Sequence, residues 1–197
     1  MKKYILAVML FVSTIVASQR YTILSGDLKN LKGISEYNVT FDYSNLKVNE
    51  FETEEEFLKE KMDHRQGSPQ KSEQYKMDWY AAREGIYEPQ FIDVFNNRFE
   101  KQEIYAGGNI NAAYTMNVKT IWIYTGYNVV AATEPAKITA IISVFEVANP
   151  SHVLLQIKFD KTIGFEKGQF EFDQGYRIAG AYDKLAKNIA MQLKRFL

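Results

Sequence analysis

The residue types that most often carry chemistry are sparse in this 197-residue chain. It has two histidines, His64 and His152. Neither has a second histidine three or four residues away, the spacing that puts two imidazoles on one helical face for a metal. His64 falls in a polar stretch between predicted helices and His152 beside a predicted hairpin turn, so solvated imidazoles account for both better than a zinc ligand or a general base. Cysteine is absent. That removes disulfides, thiol nucleophiles, thiolate metal sites and an acylated N-terminal cysteine together. No Gly-x-Ser-x-Gly elbow, His-Glu-x-x-His pair, phosphate-binding loop, dinucleotide fingerprint or Asp-x-Asp-x-Asp calcium pattern occurs. The sequence therefore implies no cofactor and no metal.

Carboxylates are plentiful. A glycosidase-type hydrolase needs two of them about 5–10 Å apart in the fold, and spacing along the chain does not show which would meet. Glu54, Glu55 and Glu56 follow Thr53 and read as a helix start: the Thr53 hydroxyl can accept from the Glu56 amide, and acids suit the positive end of the helix dipole. Glu166, Glu171 and Asp173 lie between the last predicted strand and the last predicted helix, and read as solvated charges and a cap. The binding candidates are aromatic: Trp122, Tyr124 and Tyr127. On an exposed strand face they could stack on sugars or fill a partner's pocket. The competing arrangement is burial beneath the helices that carry Trp79 and Phe95, since sheet aromatics are usually core. Nucleic-acid stacking is not expected without an accompanying basic cluster.

The elements that must position these residues follow from periodicity. Ile138–Ala148 and His152–Gly164 read as two strands joined at Asn149-Pro150-Ser151. In the second, Val153, Leu155, Ile157 and Phe159 alternate with Leu154, Gln156, Lys158 and Asp160. Ile178, Tyr182, Leu185, Ile189, Leu193 and Phe196 then step by three or four, which predicts one amphipathic helix over Tyr176–Leu197 with Asp173 as N-cap. Upstream, Arg20–Leu24 reads as a short edge strand and Asn38–Tyr43 as a half-buried one. The triplet Asn38-Val39-Thr40 fits a glycosylation sequon, but inside a strand. Helices are predicted from Thr53 to Asp63 with Phe57, Leu58 and Met62 buried, over Ser72–Glu84 ended by Gly85, and over Pro89–Lys101 with Phe91, Ile92, Phe95 and Phe99 inward. Ala113–Tyr127 reads as a strand apolar on both faces, with Ile121 and Ile123 on one side and Trp122 and Tyr124 on the other. Grouped strands and grouped helices indicate an α+β fold: a mainly antiparallel sheet packed by helices, with a C-terminal amphipathic helix across one face.

The N-terminus carries a different signal. Met1-Lys2-Lys3 is basic, Tyr4–Val16 is apolar apart from Ser13 and Thr14, and Val16-Ala17-Ser18 suits cleavage before Gln19. Residues 1–18 thus read as a signal peptide and 19–197 as a single domain. The apolar run is shorter than the about 20 residues a membrane helix needs, and no later stretch is long enough, so no integral span is expected after cleavage. The chain is 46% hydrophobic with zero formal net charge. Without Lys2 and Lys3 the remainder has two negative charges in excess. Neither value favours nucleic acid or an anionic membrane.

The segment Lys137–Leu197, with Tyr176-Arg177-Ile178, Leu185-Ala186, Ile189-Ala190 and Leu193 in its helix, resembles the C-terminal part of small exported bacterial envelope proteins. It is distantly similar to the α+β core of curli-secretion-channel-like proteins. The resemblance implies an envelope setting, periplasmic or extracellular, and no catalytic residues. The expectation is a non-enzymatic binding or assembly protein whose partner is an envelope protein or a surface polymer. A secreted hydrolase using paired carboxylates and a small-ligand carrier are the alternatives.

Overall fold

A strand that is apolar on both faces needs neighbours on both edges, and the segment from Tyr114 to Tyr124 has them. The computed structural model describes residues 21–65, 67–99, 103–129, 132–164 and 173–196. The expected signal segment with Gln19 and Arg20, the residue Lys101, the acids Glu166 and Glu171, Leu197 and the side chain of Phe196 lie outside these residues. The described strands are β1 (Tyr21–Gly26), β2 (Glu36–Asp42), β3 (Lys47–Val48), β4 (Tyr105–Gly107), β5 (Tyr114–Tyr124), β6 (Tyr127–Val129), β7 (Ala132–Glu134), β8 (Lys137–Glu146) and β9 (Val153–Ile163). The helices are α1 (Glu54–Asp63), α2 (Pro69–Ala82), α3 (Glu88–Asn96) and α4 (Gln174–Leu193).

The main sheet has seven strands in the order β1-β9-β8-β5-β2-β4, with β3 continuing alongside β5 beyond β2; β6 and β7 form a separate ribbon. β1, β9, β8 and β5 pair antiparallel. β2 runs parallel to both β5 and β4, and β3 parallel to β5. The α+β architecture and mainly antiparallel sheet are thus as the sequence indicates. The parallel part arises because α1, α2 and α3 intervene between β2 and its partners, and a parallel pair needs a crossover of this kind.

One face of the sheet is covered. α4 lies on β8 and β9 and packs beside α3. Ile178, Tyr182, Leu185 and Ile189 are fully buried over the inward row Val118, Ile142, Ile157 and Phe159, which is equally buried. Asp173 caps α4, its Oδ1 accepting from the amides of Gly175 at 2.7 Å and Tyr176 at 3.2 Å. The 20-residue helix is about 30 Å long, close to the length of the strands β8 and β9 that it covers. The Thr53 cap also forms, its hydroxyl accepting from the Glu56 amide at 3.1 Å.

The helical region differs from expectation in several places: α2 starts at Pro69 rather than Ser72, α3 ends at Asn96 with a turn in place of the helix expected to Lys101, and Ile92, expected inward, is half-buried. Gly85 does not end a helix. α2 passes through a π-helical turn, Arg83–Tyr87, directly into α3, with the Glu88 amide donating to the Arg83 carbonyl. The widened turn keeps the backbone bonded where glycine would otherwise let it fray. Met62, expected in the buried stripe of α1, is only half-buried, because the contacts of α1 centre on Phe57, which meets Phe51 and Trp79.

Two outcomes follow from this core. Leu185→Asp places an unpaired carboxylate in the layer between α4 and the sheet, and should cost more than about 3 kcal/mol in urea unfolding; an unchanged midpoint would mean that α4 buries another face. The second concerns alkali. Burial pushes the hydroxyls of Tyr37, Tyr43 and Tyr87 well above their usual range, and that of Tyr182 to about 12. These tyrosines ionise in the unfolded chain near pH 10 while the folded chain still holds their protons, so the stability they supply is complete below pH 10 and declines above it. Each such group contributes a slope of about 1.4 kcal/mol per pH unit while it titrates only in the unfolded state. Circular dichroism should show unfolding coincident with phenolate absorbance; tyrosines that titrate near pH 10 in a folded chain would contradict the assignment.

Candidate functional site

Two slips of register meet at Thr139 in β8. On one side β5 carries an extra residue: Thr120 pairs with Ala140, and Trp122 with Thr139. On the other side β9 carries one: Phe159 pairs with Ala140, and Thr162 with Ile138. Thr139 bridges the second slip, its hydroxyl accepting from the Lys161 amide at 3.1 Å and donating to Asp160 at 3.2 Å. Lys161 has a left-handed backbone, φ 45°, which is uncommon for a non-glycine residue. Bulges of this kind re-aim side chains. Before them Thr120 points to the helices, where its hydroxyl meets that of Tyr182 at 2.7 Å. After them Ile123 takes that face, opposite the buried Val48 and Ile138.

Trp122 and Tyr124 consequently lie on the face away from the helices. Trp122 stands between Lys47 and Thr139, and Tyr124 opposite Lys137. They are therefore not packed under the helices that carry Trp79 and Phe95. Their rings stack on each other, with centroids 6.2 Å apart and planes at 12°. Lys161 Nζ lies 5.7 Å from the Trp122 ring centre and Lys137 Nζ 5.0 Å from that of Tyr124, in cation–π range. The two rings are half-buried.

The polar atoms of this pair are held in place. The Trp122 indole N–H donates to the Asn49 carbonyl at 2.9 Å. Asn49 sits at φ 53°, and its own side chain accepts from the Thr125 amide at 2.9 Å. The Tyr124 hydroxyl donates to Glu134 at 2.7 Å, and Lys137 donates to the other Glu134 oxygen at 2.7 Å. The hydrogen bond to Glu134, with burial second, pushes the Tyr124 hydroxyl up to about 12; Lys137 first, then Tyr124, hold Glu134 below the usual carboxylate range. Gly126 makes the turn to β6 possible. Its φ is +62°, and a side chain there would strike the Glu134 carbonyl at 2.5 Å. Tyr127 pairs with Glu134 in the β6–β7 ribbon and is 42% exposed. Glu134 thus links Tyr124 and Tyr127, and Trp122 joins them through its stack on Tyr124.

Elsewhere the chemistry is structural. Glu54, read as one of three acids starting a helix, is buried and accepts from both the Trp79 indole and Arg83. Arg83 also lies over the rings of Tyr43 at 4.4 Å and Tyr80 at 4.9 Å. The sequence pattern marks Glu54 only as a favourable first-turn charge, and nothing in it signals the pairing 29 residues on. Glu88 is held above the usual carboxylate range, first by burial and then by Glu84. A cleft of about 460 Å³ opens between α2 and the start of α4, lined by Tyr75, Asp78, Trp79, Ile86, Tyr87 and Asp173. Its acids already have partners: Asp78 accepts from Gln74 at 2.7 Å, and Asp173 caps α4. His64 is exposed beside Glu60 at 2.8 Å, and His152 beside Glu146 at 3.1 Å. Asn38 accepts from the Ile110 amide at 3.2 Å within β2. Among the described residues, no group of three or more His, Asp or Glu side chains is placed to hold a metal ion, and no helix is long and apolar enough to cross a membrane.

Comparison of the chain with known protein families, with curated proteins and with solved structures finds no match.

The role of Glu134 is directly measurable. Glu134→Ala should bring the Tyr124 hydroxyl down from about 12 toward the ordinary tyrosine value of about 10, read by NMR titration of labelled tyrosine rings. A titration unchanged from the parent would show that Glu134 does not hold this ring.

Proposed function

We propose that this chain is an exported, non-enzymatic binding or assembly protein of the cell envelope, and that the sheet face carrying Trp122 and Tyr124 contacts its partner, an envelope protein or a surface polymer. The observation that carries this reading is the pre-ordered aromatic pair on the side of the sheet that none of the described helices covers. Large aromatics with fixed side-chain angles lose little conformational entropy on binding, and residues of this type dominate interface energetics. Here the indole N–H and the phenol are already bonded to the protein, and the lysines over the rings supply cationic groups at their margins. Tyr127 extends the surface from the adjoining ribbon.

The export-signal anatomy of residues 1–18 and the resemblance of Lys137–Leu197 to small envelope proteins agree with this setting. A paired-carboxylate hydrolase gains no support from Glu54, Asp78 or Asp173, each of which is engaged in holding the fold. The observation on the side of a small-ligand carrier is the cleft beside α4, but the Tyr87 ring in its wall is already stacked on Tyr182, with centroids 5.3 Å apart.

A photo-crosslinking residue at Tyr127, activated in intact cells, should yield a discrete adduct with an envelope component. In that background Trp122→Ala should reduce the adduct by about tenfold or more, the order expected for loss of an interface anchor, with thermal stability little changed. A freely diffusing chain that forms no adduct, or one whose adduct is indifferent to Trp122, would count against this reading.

A further inference from the structure

A left-handed backbone is unfavourable for every residue except glycine, and asparagine tolerates it best among the others. Among the described residues, the non-glycine positions that adopt it are Asn45, Asn49, Asn109 and Lys161. Three of the four follow that preference, and the lysine does not. Lys161 is exposed and sits at φ 45°, where β9 slips against β8. Glycine or asparagine would meet that slip with less strain. A strained backbone of this kind points to a task for the side chain that it carries.

That side chain lies over the outer face. Thr139 of β8 stands between Lys161 and Trp122: it pairs with Trp122 in the ladder and accepts from the Lys161 amide. The Lys161 ammonium reaches to 5.7 Å from the Trp122 ring centre. This contact leaves its charge without a counter-ion. The other lysines of the described sheet strands each have an acid: Lys47 has Glu52, Lys119 has Asp42 at 2.9 Å, Lys137 has Glu134 at 2.7 Å and Lys158 has Asp160 at 3.7 Å. Lys161 has none at ion-pair distance among the described residues. One uncommitted cation is thus held beside the aromatic pair.

We propose that Lys161 sets the specificity of the Trp122 face by receiving one carboxylate, the side chain of an aspartate or glutamate on a protein partner. The inference rests on the reading of that face as the binding surface. An ammonium against an indole presents charge and apolar surface together, and an acidic side chain flanked by apolar ones matches both. The charges select among occupants. A polymer with an acid on every unit would bring a row of anions to a face with one uncommitted cation. A neutral polymer would cover that cation and leave it without a partner, which is unfavourable. A single carboxylate leaves no charge over, and complementary charge of this kind fixes register and excludes wrong partners.

Two measurements separate the strain from the charge. In urea, purified Lys161→Gly and Lys161→Asn should unfold at the parent midpoint or above it, because both residues accept the left-handed backbone. In intact cells carrying the photo-crosslinking residue at Tyr127, the same two variants should reduce the adduct by about tenfold or more. Lys161→Arg should keep most of it, and Lys119→Gln, at a lysine that is already paired, should leave it unchanged. Protease should digest the partner's part of the isolated adduct. A Lys161→Gly protein that unfolds well below the parent would assign the lysine to the fold and overturn the inference. So would a protease-resistant polysaccharide adduct, or an adduct that depends on Trp122 and not on Lys161; the last result leaves the binding face standing. An adduct that depends on neither residue would remove the binding face as well.

Discussion

The paired slips of register around Thr139 are the constraint on which the candidate site depends. A regular ladder through β5, β8 and β9 would keep Trp122 on the same side as Thr120, in the layer occupied by Tyr182. The extra residue in β5 and the extra residue in β9 shift both strands past the same point of β8. That displacement carries Trp122 to the outer face and Ile123 to the inner one. The left-handed Lys161 and the two hydrogen bonds of Thr139 are the local means by which the shift is held.

The two faces of the sheet then do different work. The inner face is apolar and carries the stability, with α4 and α3 as its cover. The outer face is a solvated surface on which lysines have acids in reach: Lys119 lies 2.9 Å from Asp42, and Lys137 is bonded to Glu134. Such exposed pairs add little stability. They leave a face that is close to neutral, with the stacked aromatic pair as its main apolar feature.

Periodicity makes some of this legible and hides the rest for identifiable reasons. The β8–β9 hairpin and α4 are readable because an apolar stripe sustained at one period over many residues fits a single kind of element. The strand at Trp122 is readable as a strand. The facing of its aromatics is not readable, because alternation counts residues and a bulge adds one without altering composition. The π-helical turn is hidden for the same reason: Gly85 signals a stop, whereas the added residue lets the helix continue. The parallel placement of β2 between β4 and β5, and the pairing of Glu54 with Arg83 and Trp79, depend on segments brought together only by the fold. One-dimensional patterns carry no trace of them.

Whether the outer aromatic face meets the proposed partner can be read directly at its tryptophan. The chain has two tryptophans, one exposed to solvent in part and the other, Trp79, buried, so fluorotryptophan labelling gives two resolvable ¹⁹F signals. On titration with isolated envelope fractions, the Trp122 signal should shift or broaden while that of Trp79 stays in place. If Trp122 remains unperturbed and equally open to solvent contact throughout, the outer face is not the binding surface.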